Sequence, residues 1–110
     1  MRSSEGTKQD IWKEWLLKRR FGSDSELMNR TLREFLYPVR DKILNRASLQ
    51  EGETLLDVGC GDGLVAFGAL ARLEAGRVLF SDISQELLDH AAALAQQMGI
   101  AERCEFVQAS

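Results

Sequence analysis

The nine residues LLDVGCGDG, from Leu55 to Gly63, decide how this sequence is interpreted. The stretch begins as an apolar strand that contains Asp57 and that we expect to be buried, and it then places glycine at every second position. Glycine allows positive backbone φ angles and lets a ligand come close to the main chain. One glycine would suffice for a tight turn from a strand into a helix. Three alternate glycines therefore favour a ligand-binding loop.

The sequence beyond this stretch alternates helical and strand patterns. "DGLVAFGALARLE" predicts a helix, "RVLFSDI" a second strand, "QELLDHAAALAQQM" a second helix and "CEFVQA" a third strand. Strands that alternate with helices of this length are typical of a parallel sheet. We therefore expect an α/β, Rossmann-like parallel sheet, partial in extent and with the strand order 3-2-1. Ligands of such sheets bind at the carboxyl ends of the strands, which is where the glycines lie.

The first 50 residues predict helices that precede the sheet. Apolar residues at helical spacing from Ile11 to Leu16 indicate a helix that ends at Gly22, while residues 1–9 are expected to fray. Pro38 is expected to kink a second helical region or to begin a third helix. The apolar stripe expected to face the core in that region comprises Leu27, Met28, Thr31, Leu32, Phe35 and Leu36.

Composition, apolar run length and the cysteine and histidine content limit the classes of protein to which this chain can belong. The chain has 110 residues, of which 45% are hydrophobic and 28% charged, as in ordinary soluble domains. Because no apolar run approaches the ~20 residues of a membrane helix and no signal peptide begins the chain, we expect a cytoplasmic protein without membrane contact. Cys60 and Cys104 form no disulfide framework pattern. His90 is the only histidine, so we expect a partly exposed helix residue there and no metal site.

Charge is distributed unevenly along the chain. Residues 1–47 hold 11 Lys and Arg against 7 Asp and Glu, a net charge of +4. Residues 48–110 hold 3 against 10, a net charge of −7. Such asymmetry can mark a surface for nucleic acid or an acidic substrate. Since the basic residues are interspersed with acidic ones, we expect a solvated helix face and no nucleic-acid partner.

A second carboxylate lies where the second strand ends. Asp82 follows Gly63 by 19 residues. In nucleotide sites of this topology, an acid near that spacing accepts hydrogen bonds from ribose hydroxyls. The alternative is an acidic residue that merely favours the start of the next helix. Beside a glycine loop, we favour the ribose role.

Two classes of cofactor compete for this loop. The dinucleotide fingerprint G-x-G-x-x-G/A, started directly after the strand at Gly59, places Leu64 where a small residue is required. Asp57 and Asp62 would also repel a pyrophosphate. A ligand with a cationic sulfonium and an amino group would tolerate both acids. The charges therefore favour a sulfonium nucleoside, and a NAD(P)- or FAD-dependent oxidoreductase remains the alternative.

At these residues the sequence resembles a known family. "LLDVGCGDG" followed by "VLFSDIS" resembles the first two signature motifs of class I S-adenosylmethionine-dependent methyltransferases, over about residues 48–110. The resemblance implies a sheet in the order 3-2-1-4-5-7-6, of which only the first three strands are present. We therefore interpret residues 1–50 as a helical cap and residues 51–110 as the N-terminal half of the methyltransferase domain. We expect this fragment to be inactive alone.

The resemblance also implies roles for individual residues. Asp57 would hold the methionine amino group, Asp82 the ribose hydroxyls, and Ile83 would pack on adenine. Ser110 lies at or just before the position that reaches the adenine amino group, and Asp62 receives no role. The catalytic residues stay unknown. The loop residues whose backbone would line the methionine and ribose are Gly59, Cys60, Gly61 and Gly63.

The expected reaction is methyl transfer from S-adenosylmethionine to a small-molecule acceptor. A third reading is a non-catalytic half-domain that associates with another chain. The first strand has a partner on one side only in this scheme. That open edge is expected to permit self-association.

Overall fold

The chain begins with helices, as expected. The computed structural model describes residues 4–109, with side chains from residue 11 onward, so Ser110 lies outside the described residues. Helix α1 spans Ser4–Arg20, α2 spans Ser25–Thr31 and α3 spans Tyr37–Ala47. Gly22 follows α1 with φ +54°, which confirms the predicted helix end. The expectation that residues 1–9 fray was wrong from Ser4 onward, because α1 begins there.

A π-helical turn at Leu32–Leu36 joins α2 to α3. Pro38, near the start of α3, has no N–H and would clash with the carbonyl four residues before it in a regular helix. The turn widens instead, and the Tyr37 N–H donates to Leu32 O. Pro38 therefore lies in the first turn of a third helix, which confirms one of the two alternatives predicted for it. The backbone stays helical across the junction.

The remainder of the described chain alternates strands and helices. The elements are β1 Thr54–Val58, α4 Leu64–Arg72, β2 Arg77–Asp82, α5 Gln85–Met98, a 3-10 turn Ala101–Arg103 and β3 Cys104–Gln108. The three strands are parallel and lie in the order β1-β2-β3, which confirms the predicted order. Ser84 begins α5 by accepting a hydrogen bond from the Leu87 N–H, and Gly99 ends it in the left-handed conformation.

The two faces of the sheet differ in burial. Val78, Phe80 and Cys104 share the face on which α4 and α5 pack, and all three are buried. Leu56 and Val58 point to the opposite face, and Val58 is 74% exposed. The expectation of a buried first strand was therefore wrong, because α4 and α5 cover only one side of β1 and β2. Within residues 4–109, β1 also has no neighbour on its outer edge.

The helical cap packs on the other helices. α1 contacts α5, and α3 contacts α4. Of the predicted apolar stripe, Met28 and Leu32 are buried, whereas Leu27 and Phe35 are exposed, so that part of the expectation was wrong. Among the described helices, none combines the length and the apolar character needed to cross a membrane.

Candidate functional site

The glycine loop lies at the carboxyl ends of β1 and β2 and is held there by backbone hydrogen bonds. The N–H groups of Gly59 and Cys60 both donate to Ser81 O, at 2.7 and 2.9 Å. The Gly63 N–H donates to Cys60 O at 2.9 Å, which closes the turn before α4. These backbone hydrogen bonds therefore fix the conformation of the loop.

The three glycines serve two different purposes. All adopt positive φ angles, +70° at Gly59, +53° at Gly61 and +82° at Gly63. A Cβ atom on Gly59 or Gly61 would meet nothing within 4 Å in the described part of the chain. A Cβ atom on Gly63 would lie 2.6 Å from Cδ2 of Phe67. Gly59 and Gly61 thus border open space suited to close approach of a ligand, whereas Gly63 is required by the packing of α4.

Asp57 is a half-buried carboxylate at the base of this loop. It accepts a backbone hydrogen bond from Ala66, near the start of α4. Burial raises the pKa of Asp57, and the nearby Asp82 carboxylate adds to the rise. An ammonium group placed beside Asp57 would compensate its charge. This environment fits the role that the resemblance implies for Asp57.

Asp82 joins the glycine loop to the start of α5. Its Oδ2 accepts the Gly61 N–H at 3.0 Å, and its Oδ1 accepts the Ser84 N–H at 2.9 Å. These bonds hold the pKa of Asp82 below its usual value, so the group is a carboxylate at neutral pH. Each oxygen keeps a further lone pair, which leaves room for hydroxyl donors. Ile83, beside it, is 73% exposed and faces open space.

A cavity of about 170 Å³ brings three of the predicted residues together. Asp57, Gly59 and Cys60 line it. Cys60 is buried, and burial raises the pKa of its thiol to about 11, so the thiol is neutral and serves packing. Gly61 and Asp82 meet beside this cavity through their hydrogen bond. Asp57, Gly59, Cys60, Gly61 and Asp82 thus lie close together at the strand ends, whereas Gly63 packs against Phe67.

None of the site residues predicted from the sequence lies in α1, yet α1 contributes to this cavity. Trp12 and Leu16 line it together with the loop residues, and both are buried. Arg19 and Arg20 of α1 approach Asp62, although both remain exposed, as expected of a solvated helix face. The signal was present in the opposite net charges of the two halves of the sequence. His90 is partly buried in α5, with its ring centroid 5.6 Å from that of Trp15, as expected of a helix residue.

A larger cavity, of about 840 Å³, lies along α4 and reaches the C-terminal end of that helix. That end is at the amino edge of the sheet, away from the glycine loop. Its arginines already have partners: Arg72 contacts Asp41, and Arg103 donates to Leu73 O at 2.6 Å. We therefore place the functional site at the smaller cavity, where the unusual backbone and the two carboxylates meet.

The sequence matches known methyltransferases. A family model described as "Methyltransferase domain" matches residues 55–110. A probable protein arginine N-methyltransferase 3 from Oryza sativa subsp. japonica is 37% identical over 79 residues, covering 72% of this chain and 12% of that protein. Nocamycin O-methyltransferase from Saccharothrix syringae is 38% identical over 68 residues, covering 61% of this chain and 24% of that protein. The chain thus spans less than a quarter of the length of either relative.

Solved structures show the same arrangement of elements. The [4+2]-cyclase SpnF superposes with a TM-score of 0.60 and 32% identity, covering 66% of this chain and 26% of that one. A putative sarcosine dimethylglycine methyltransferase from Galdieria sulphuraria superposes with a TM-score of 0.63 over 94% of this chain and 42% of that one. At 15% identity, the second likeness shows the fold alone, helical cap included.

The comparisons bear on the choice between the two classes of cofactor. They favour the sulfonium nucleoside over the dinucleotide alternative, as the charges of Asp57 and Asp62 do. The matched region contains β1 from its second residue onward, the glycine loop, and β2 with Asp82 at its end. The chain belongs to the class I S-adenosylmethionine-dependent methyltransferases, and S-adenosylmethionine is its cofactor.

Proposed function

We propose that S-adenosylmethionine lies along the glycine loop with its amino-acid end beside Asp57 and its ribose beside Asp82. The observation that carries this proposal is the placement of two carboxylates on either side of an open glycine backbone. Asp57 is half-buried with a raised pKa, as suits a ligand cation, and Asp82 is ionised at the tip of β2. Gly59 and Gly61 border open space between them.

The proposed activity is transfer of the cofactor's methyl group to a nucleophilic atom. The cofactor supplies an activated methyl: the acceptor forms a bond to the methyl carbon while the carbon–sulfur bond breaks and sulfur leaves as a neutral thioether. The residues of this chain bind and orient the cofactor, and alignment of this kind supplies much of the barrier reduction in such reactions. The neutral Cys60 thiol is not suited to act as a base.

We propose a small molecule as the methyl acceptor. Trp12, Leu16 and Leu36 of the helical cap line the cavity that would receive the amino-acid end of the cofactor, and an apolar wall next to the cofactor suits a small acceptor. One relative, nocamycin O-methyltransferase, is named for a small-molecule acceptor. Another relative is named for protein arginine, so a protein acceptor is the outcome that would contradict this part.

Calorimetric titration with S-adenosylhomocysteine, and separately with NAD, tests the cofactor assignment. We expect measurable binding of S-adenosylhomocysteine and weaker binding of NAD. Tighter binding of NAD would contradict the proposal. For the acceptor, the intact protein would be supplied with methyl-labelled cofactor and either pooled small nucleophiles or a protein extract. Label found only in protein would rule out the small-molecule acceptor.

A further inference from the structure

The middle of the glycine loop is attached to α1. The Trp12 indole Nε1–H donates to Asp62 O at 2.9 Å, and Arg20 Nε donates to Asp62 Oδ2 at 2.6 Å. Arg19 Nε lies 3.8 Å from Asp62 Oδ1. Asp62 is therefore held through its backbone and its side chain by the same helix, although Trp12 is 50 residues away in sequence.

Asp62 occupies the middle of the glycine loop. It lies between Gly61 and Gly63, whose positive φ angles define the turn. Its Oδ1 is buried and accepts no hydrogen bond from the residues that the structure describes. The arginines of α1 thus provide the positive charge beside this carboxylate.

The same helix forms a wall of the cavity. Trp12 and Leu16 line the same space as Asp57 and Gly59. A small movement of α1 away from the loop would widen this space. The Asp62 contacts therefore link the position of the wall to the position of the loop.

We propose that Asp62 is a positioning residue, which seats α1 on the glycine loop and so sets the shape of the cavity that receives the amino-acid end of the cofactor. This inference rests on the proposed function. Its consequence is specific to one end of the ligand. Loss of the Asp62 contacts lowers affinity for ligands that carry the amino-acid group and leaves the binding of the nucleoside end unchanged, because Asp82 lies outside this cavity.

The test compares Arg20→Gln with Glu86→Gln. Both side chains are exposed, Arg20 at 59% and Glu86 at 71%, so both variants keep the fold. Glu86 pairs with Arg19 at 3.4 Å and thus ties α1 to α5 without touching the loop. Each variant would be titrated with S-adenosylhomocysteine and with 5′-methylthioadenosine, which lacks the amino-acid group.

We expect Arg20→Gln to weaken S-adenosylhomocysteine binding about two- to fivefold, the range of an exposed ion pair, and to leave 5′-methylthioadenosine binding unchanged. Glu86→Gln should change neither affinity. Added salt should weaken S-adenosylhomocysteine binding more in the original chain than in Arg20→Gln, because the variant lacks one of the ion pairs that salt screens. Equal losses for both ligands, or equal effects of the two variants, would overturn the inference. If the unsubstituted chain binds neither ligand, the proposed function itself fails.

Discussion

At Asp57, the stability of the unliganded fold and the binding of the proposed ligand favour opposite charge states of one side chain. Burial beside Asp82 makes its charge unfavourable in the unliganded fold, as its raised pKa shows. The proposed ligand nevertheless needs a carboxylate there to accept its ammonium group. Sites that give up stability for function commonly violate local rules in this way. The presence of a carboxylate within the otherwise apolar strand β1 therefore supports the proposed binding site.

Asp57→Asn should raise the stability of the unliganded chain at pH 7 and weaken S-adenosylhomocysteine binding. Because the folded-state pKa is raised, the stability linked to protonation is fully present below the unfolded pKa and is lost as the pH rises through the folded pKa. The amide side chain introduced by Asp57→Asn does not ionise, so the variant does not lose this stability as the pH rises. A charged hydrogen bond contributes about 1.5–3 kcal/mol, so we expect an affinity loss of roughly ten- to hundredfold.

Thermal unfolding at several pH values, with Asp89→Asn as the control, measures the stability half of this prediction. Asp89 is exposed on α5 and lines neither cavity. A lower unfolding temperature for Asp57→Asn, or unchanged affinity, would show that Asp57 is a structural residue.

The glycine loop behaves as one element with two kinds of glycine. Gly61→Ala should cost about 1–2 kcal/mol of stability, since its φ of +53° strains any residue with a Cβ. Gly63→Ala should cost about 1–3 kcal/mol more, because its Cβ would lie 2.6 Å from the Phe67 ring. Denaturant unfolding of both variants measures this difference. Equal losses of stability would contradict the distinction between the two glycines.

The two variants should also differ in binding. Gly61 borders the open space over the loop, so Gly61→Ala places a methyl group where the ligand approaches. We expect the S-adenosylhomocysteine affinity of Gly61→Ala to fall more than that of Gly63→Ala, because the methyl group added at position 63 meets Phe67 instead of open space. Full affinity in folded Gly61→Ala would show that the loop is not the ligand cradle.

How much the sequence predicts depends on the range of the interactions involved. The strands and helices after Glu53, and the end of α1 at Gly22, follow from local patterns and were predicted correctly. Whether Leu56, Val58 or Phe35 is buried depends on what else packs there, which local spacing does not contain. The contacts of α1 with Asp62 join residues 42 to 50 positions apart, so no single segment predicts them.

At the scale of the whole molecule, ion pairs join the two oppositely charged halves of the sequence, and one apolar face of the sheet stays exposed. The net positive helical cap places Arg19 and Arg20 against the net negative half at Asp62 and Glu86. The opposite face of the sheet leaves Leu56 and Val58 exposed. Exposed apolar strands with a free edge invite pairing with another strand.

We therefore predict that the 110-residue chain self-associates through β1, with a second copy as the partner. Sedimentation velocity over a concentration series should show a rising mean mass. Leu56→Lys should keep the chain monomeric, because a lysine on the exposed face opposes pairing. A chain that stays monomeric at every concentration would contradict this prediction.

The central claim is that the cofactor lies along the glycine loop between Asp57 and Asp82. Backbone amide NMR during titration with S-adenosylhomocysteine tests it directly, because each loop amide reports its own surroundings. The account predicts that the largest shift changes occur at Gly59, Gly61 and Ile83. The largest changes at Ala71–Glu74, beside the larger cavity at the other end of α4, would contradict it.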